Sequence, residues 1–401
     1  MRLKRVVVKK GDNMKREWHS AESVTEGQPD KLCDQIVDRI LDSAIEKDRF
    51  ARVEVDALAT AGLAFISGHI STKGYIDITK IVRNAVKDAG YTEIETGFDF
   101  ASIAVLSIIE EQSSELALAV DKRGAGNQGV VVGYATRETE KLGINTEFMP
   151  IPIWLAHKLA KRLADFRKAE GKDIFYPDGQ VQVTFEYESG QPKRLVNLSV
   201  AAQHKSSVAL DKVREAVMDG IVKPTIEPLG LADDKTQYYI NPAGTFTIGG
   251  PKSDTGISNR KQVVDAYGPF CRHGGVALCG KDPTKTDRSA SYMARYLAKN
   301  LVAAGLSERC EVRLAYTIGL EYPTSLQIEC FQTGKIPNSK VAGALWKNLD
   351  LSTPAIINHL NLLKPIYAQT SCYGHFGKPE LPWEKLDLKD KLLEIVGKIG
   401  A

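Results

Sequence analysis

The residues best suited to chemistry crowd between Gly249 and Ser289. They form three groups: Gly249-Gly250-Pro251-Lys252-Ser253-Asp254, then Arg260-Lys261, then Gly280-Lys281-Asp282-Pro283-Thr284-Lys285-Thr286-Asp287-Arg288-Ser289. Glycines beside several cations, interleaved with carboxylates, suit a polyphosphate bound with a metal. Lys and Arg neutralise phosphate oxygens, and Asp holds the magnesium that bridges them. The spacing is not that of a Walker loop. Composition alone also allows a plainer reading, a Gly-rich turn and a solvated charge run before a helix, with Asp287 as the N-cap, a position that favours Asp.

The elements that must position these groups read as three αβ units. Gly27 and Pro29 turn the chain into a helix with Leu32, Ile36, Ile40 and Ile45 at helical spacing, so that 22–50 reads as a loop feeding a helix. Residues 51–72 alternate around Gly62 and Gly68 as a hairpin would, and 78–90 read as an amphipathic helix. Glycines 124, 126 and 129 mark an irregular stretch before a helix over 151–169 and a strand over 181–187. A third unit begins near Asn241, with a helix over 289–304, a strand over 311–318 and a Pro-punctuated tail. The units are placed at 16–120, 121–242 and 243–401, with elements free to interleave. No repeat is legible by eye.

At 401 residues, 43% hydrophobic and 26% charged, the chain can bury a substantial core. A net charge of +3 from 53 basic and 50 acidic residues calls for neither a nucleic-acid nor a membrane partner. The six cysteines, Cys33, Cys271, Cys279, Cys310, Cys330 and Cys372, show no C-x-x-C pair, which points to reduced thiols and a cytoplasmic address. Cys279 reads as a small buried residue, because only His273 stands near it in sequence. The basic stretch Met1–Lys15 lacks the apolar core of a signal peptide, and Met14 is an alternative start.

Five motifs, in collinear order, carry a resemblance to the S-adenosylmethionine synthetase family. They are Ser23-Val24-Thr25-Glu26-Gly27-Gln28-Pro29-Asp30-Lys31, Gly124-Ala125-Gly126-Asn127-Gln128-Gly129, Gly249 to Lys261, Arg272-His273-Gly274-Gly275 to Ser289, and Tyr373-Gly374-His375-Phe376-Gly377, within a match over residues 19–387. The resemblance implies an α/β (α+β) fold of three similar domains about a pseudo-threefold axis, and a homodimer, or dimer of dimers, with active sites between subunits. It further implies that methionine sulphur attacks C5′ of ATP and that the triphosphate released is hydrolysed to phosphate and pyrophosphate, assisted by magnesium and potassium. Asp30 and Asp287 fall on magnesium-ligand positions, and Asp56 stands where a potassium-binding Glu is usual. Lys31, Arg260, Lys261, Lys281 and Lys285 match phosphate contacts, with Arg260 linked to triphosphate cleavage. Asp178, Phe246 and Ile318 match positions around ribose and adenine, and Asp254 matches as well.

The acceptor and leaving-group positions depart from the family. Where it reads Gly-His-Pro-Asp-Lys this chain has Gln28, and a lysine position is Gln180, so the catalytic set becomes Arg260, Lys281, Gln28 and Gln180. A preorganised donor at developing charge is worth roughly 10²–10³ in rate, and Gln donates without charge. Gly-Gly-Glu-Ile has become Ser67-Gly68-His69-Ile70, and Gly-Ala-Gly-Asp-Gln-Gly has become Gly-Ala-Gly-Asn127-Gln-Gly, while Gln112 is retained. Two anions are gone from the amine side. The stretch 113–123 is shorter than the family's gating loop, and Val276 and Leu278 alter the Gly-rich run before Lys281. Adenosyl transfer to methionine or a related thioether is the leading expectation. Its alternatives are an acceptor without an α-amino group, with His69 facing a carboxylate or neutral group; an ATP or tripolyphosphate hydrolase; and a silent regulatory subunit.

Overall fold

Val53, Val55, Ala57 and Ala59 bury one face of strand β2 (Arg52–Thr60), which turns at Gly62 and pairs with β3 (Leu63–Ser71) from Arg52↔Ser71 to Thr60↔Leu63. This is the hairpin expected over 51–72. The structure, a computed structural model, describes residues 16–113, 115, 118 and 123–400. Met1–Lys15 and most of the short loop expected at 113–123 lie outside the described residues.

Three sheets form. β4 (Ala104–Glu110) runs parallel beside β3, and the two-residue β9 (Gly256–Ile257) flanks β2, in the order β4-β3-β2-β9. A second sheet orders β1 (Arg16–Val24), β6 (Phe175–Glu188), β7 (Gln191–His204) and β8 (Gln237–Ile240). The third orders β11 (Ser325–Glu329), β10 (Arg309–Tyr316) and β5 (Gly129–Thr136). Each carries a long helix: α1 (Pro29–Lys47) with α2 (Ile78–Ala89) on the first, α3 (Ile151–Lys168) with α4 (Leu210–Val217) on the second, and α5 (Thr286–Ala303) on the third. One apolar core is shared by the first and third sheets, and another fills the second.

The sheets cut across the sequence boundaries in a cycle. β1, from the segment 16–120, pairs with β6; β5, from 121–242, pairs with β10; and β9, from 243–401, pairs with β2. Cross-strand pairing is a long-range choice that local patterning does not encode. For the same reason the loop expected from Glu22 is the end of β1, with the helix starting at Pro29. The later helix starts at Thr286, so Asp287 lies inside its first turn instead of capping it, and Lys285 holds the cap position. Among the described residues no helix is long and apolar enough to cross a membrane.

Candidate active site

The start of α1 gathers one group of expected site residues. Gln28 caps the helix, its Oε1 accepting from the Lys31 N–H at 3.1 Å and its Nε2 donating to Asp30 at 3.3 Å. Asp30 collects three further donors: the Ile257 N–H at 3.0 Å, Lys261 Nζ at 2.8 Å and the Arg260 guanidinium at 3.5 Å. Burial alone would raise its pKa, but Lys261, the Ile257 N–H and the Gln28 amide outweigh that and hold the carboxyl below its ordinary value. Behind it, Gly27 lies so close to Pro177 that a Cβ would come within 2.4 Å, and this approach lets Thr25 bond to Pro177 O and Gly179 O. Asp178 is thereby set beside the 249–261 loop. Its Oδ2 accepts the Gly250 N–H at 2.9 Å, its Oδ1 is buried without a partner among the described residues, and burial, opposed by the Gly250 and Gly179 N–H groups, lifts its pKa to about 6. Phe246 exchanges hydrogen bonds with His204 on the same side, while Gln180 is exposed on β6 opposite Val24. Asp254 and Arg260 are exposed as well.

The start of α5 gathers the other group. Asn127 Oδ1 accepts from Thr286 Oγ1 at 2.9 Å and from the Asp287 N–H at 3.4 Å. Lys281 Nζ lies 2.7 Å from Asp287 Oδ2 and 3.6 Å from Glu54. Asp287 Oδ1 is buried with no partner among the described residues, and burial outweighs Lys281 and Asn127, so its pKa is raised. The Gly124–Gly126 segment is laced to Thr284 and to Gly319 and Leu320, which brings the half-exposed Ile318 alongside. Asp56, exposed on β2, accepts from Ser258 Oγ at 2.6 Å and Asn259 Nδ2 at 3.5 Å. His69 is exposed on β3, and the Gln112 N–H bonds to Ser71 two residues on.

Family models cover almost all of this framework: the N-terminal domain of S-adenosylmethionine synthetase over residues 16–114, the central domain over 122–246 and the C-terminal domain over 248–385. The chain belongs to the S-adenosylmethionine synthetase family. It is 48% identical to proteins named S-adenosylmethionine synthase from Staphylococcus epidermidis and Desulforudis audaxviator, over 94% of this chain and 97% and 98% of theirs. The protein of that name from Clostridium botulinum is 44% identical over 96% of this chain and all of its own. The chain is thus an enzyme of the methionine adenosyltransferase type.

Two lysines of this synthetase-family chain that the resemblance places at phosphate contacts are held in buried ion pairs. Lys31 is buried, its ammonium 2.6 Å from Asp265 and 2.9 Å from Asp34; burial disfavours its charge, but the two carboxylates outweigh that and raise its pKa well above the usual lysine value. Lys285 is equally buried against Asp282 at 2.9 Å. Sequence reasoning also missed their partners. Asp30, Asp34, Asp38 and Asp42 recur every fourth residue and so share one face of α1. Asp34 accepts the Asn259 N–H, Asp38 takes the Gly280 N–H and both Arg288 Nη1 and Nη2 at 2.6 and 2.8 Å, and Asp42 takes the N–H groups of Tyr367 and Ala368. This stripe was legible in the sequence, and it pins the loops that carry both groups.

Cys279 is buried, as its type and context implied, but it has a histidine partner from far along the chain: its Sγ is 3.7 Å from His375 Nε2. Burial pushes the thiol up and the imidazole down, leaving a neutral pair and no thiolate nucleophile. Among the described residues no cluster of three or more His, Cys, Asp or Glu side chains forms a metal cage. Magnesium bound with a polyphosphate needs only one or two carboxylates beside phosphate oxygens and water. Asp287, with one buried oxygen unpartnered, suits that role; Asp30 suits it once a phosphate draws its cations away.

Proposed function

We propose that this chain transfers the adenosyl group of ATP to the sulphur of methionine or a related thioether. Sulphur attacks C5′, triphosphate leaves, and its hydrolysis gives phosphate and pyrophosphate. The observation that carries this reading is the Asp30–Arg260–Lys261 cluster beside Asp178: two loop cations on one carboxylate at a helix start, ready to exchange it for phosphate oxygens. Arg260 and Lys261 would hold the triphosphate, and Lys281 would meet it from the start of α5. Asp178 would orient the nucleoside through its open Oδ1. Asp30 and Asp287 would hold magnesium and Asp56 potassium; magnesium, when bound, neutralises phosphate oxygens.

Two features support a homodimer with shared sites. The outer face of the β2–β4 sheet is apolar at one end, with Leu106 and Ile108 55% and 60% exposed, as a face covered by a second copy would be. Asp30 and Asp38, which anchor the two site groups, lie about 12 Å apart along α1 at 1.5 Å per residue. In such a dimer each site would draw one of the two groups from the other protomer.

The second reading, hydrolysis of ATP or tripolyphosphate without an acceptor, is favoured by one observation: the Gln28 amide is engaged by the helix cap and Asp30, leaving no charged donor there for the leaving oxygen. Incubation with ATP, magnesium and potassium, with and without methionine, separates the two. Methionine-dependent S-adenosylmethionine supports transfer. Phosphate release that ignores methionine, with no adenosyl product, supports hydrolysis.

A further inference from the structure

Cys310, on the core face of β10, and Cys330, the residue after β11, are set side by side by strand pairing. Glu311 pairs with Glu329, so the antiparallel register carries Cys310 directly opposite Cys330. A tight turn holds that register past the end of the strand. Phe331 and Gln332 take φ of +51° and +61°, and Thr333 closes back on the Cys330 carbonyl oxygen through its N–H at 2.9 Å and its hydroxyl at 2.6 Å. The same hydroxyl accepts the Glu308 N–H at 3.2 Å, just before β10. Directly opposite residues of an antiparallel pair have Cα atoms about 4.5 or 5.5 Å apart, and both values lie in the window of about 4.4–6.8 Å that a disulfide spans. The side chains meet: the Cys310 thiol donates a hydrogen bond to the Cys330 sulphur, and all six cysteines are free.

Of the two sulphurs, Cys330 is the one poised to react. The Cys310 S–H stabilises its thiolate, burial opposes this, and the Ser307 hydroxyl adds to the first effect, so that its pKa falls to about 7. Burial instead pushes Cys33, Cys271, Cys279 and Cys372 up. The exposed Gly334 packs over Cys330: a Cβ there would come within 3.0 Å of its Cβ and 3.4 Å of its Sγ. Cys330, 5% exposed, thus lies one glycine's thickness from solvent on that side, within reach of a molecule as small as a peroxide.

We propose that Cys310 and Cys330 are a modification site, a thiol pair that hydrogen peroxide converts to a reversible disulfide and that shares no residue with the two helix-start groups. The Cys330 thiolate attacks one peroxide oxygen, the O–O bond breaks, and the departing hydroxide takes a proton to become water. Cys330 is then a sulfenic acid. Cys310 sulphur attacks Cys330 sulphur, the S–O bond breaks, and a second water leaves with the Cys310 proton. Two thiols lose two electrons and two protons, and peroxide is reduced to water. A small dithiol reverses the step by exchange.

Treatment of the reduced full chain with hydrogen peroxide, then alkylation of the remaining thiols in denaturant and peptide mass spectrometry, tests this. The chain should lose two of its six thiols. The peptides carrying Cys310 and Cys330 should appear joined, with loss of two hydrogens, and dithiothreitol should release them. Cys330→Ser should slow thiol loss at least about tenfold, and Cys310→Ser should stop the reaction at a sulfenic acid on Cys330 that dimedone captures. Absence of the Cys310–Cys330 link after peroxide, whether or not other thiols react, a link that joins two chains, or an unchanged rate in Cys330→Ser overturns the proposal. The wild-type peptide map needs no variant, so a substitution that unfolds the chain leaves the test decisive.

Discussion

At the start of α1 an amide, Gln28, caps the helix, Asp30 fills the first turn beside the buried cation Lys31, and the loop lysine Lys261 pairs with the aspartate; at the start of α5 the same roles fall to Asn127, Asp287, Arg288 and Lys281. The parts match, yet the two carboxylates differ. Asp30 has four donors and a lowered pKa, whereas Asp287 keeps an unpartnered oxygen and a raised one. A third start, that of α3, is closed by Glu138, which accepts the Ile151 N–H and the Tyr187 hydroxyl while burial lifts its pKa to about 7. The number of donors aimed at a carboxylate, and not the motif around it, sets its readiness for a metal or a proton.

The largest expected effect concerns the buried cations. Lys31→Met strands Asp34 and Asp265, and Arg288→Met strands Asp38; each should cost about 3–5 kcal/mol in urea denaturation. If Lys31→Met instead kept its stability and lost ATP affinity, Lys31 would be a phosphate ligand and the likeness of the two starts would break. Next come the first-turn aspartates. Asp30→Asn and Asp287→Asn should each lower kcat on the order of 10²–10³-fold, but through different defects. Asp287→Asn, which removes the oxygen left open for the ion, should raise the magnesium needed for half-maximal rate the more, and Asp30→Asn should raise it less while also raising KM for tripolyphosphate by loosening Arg260 and Lys261. Identical responses to magnesium would erase the distinction.

Gln28→His restores a chargeable donor at the α1 start and should raise kcat for adenosyl transfer about tenfold, or about 1.4 kcal/mol. No gain would show that the amide already serves. A last prediction concerns the closed third start. Folded Glu138 keeps its proton up to about pH 7, whereas the ordinary value is 4.5. The folded state therefore binds more protons in this window, and stability falls as pH rises through it, by up to about 1.4 kcal/mol per pH unit. Glu138→Gln should flatten that part of the stability curve in thermal melts at a series of pH values.

Much of the candidate site was legible because its residues act through local chemistry. Gly249–Ser289 shows its cations and carboxylates in order, and the hairpin over 51–72 and the helices over 78–90 and 151–169 follow from local periodicity. Asp34, Asp38 and Asp42 of α1 were equally visible and were passed over, because acidic residues at helical spacing read as a solvated face until a partner is seen. Glu54 carried no signal at all. Its place comes from strands that set it between His69 and Lys281.

By itself the sequence determined the family, the residue types of a polyphosphate site and the departures at Gln28, His69, Asn127 and Gln180, since each is a matter of identity and order along the chain. Tertiary structure alone decided which lysines face outward and which are locked inside, since that depends on carboxylates brought from far along the chain, such as Asp265 against Lys31. It also decided that Glu54, His69 and Glu110 stand at one level of a sheet. Strand register brings residues distant in sequence to one level of a sheet, and nothing local to Glu54, His69 or Glu110 fixes that alignment.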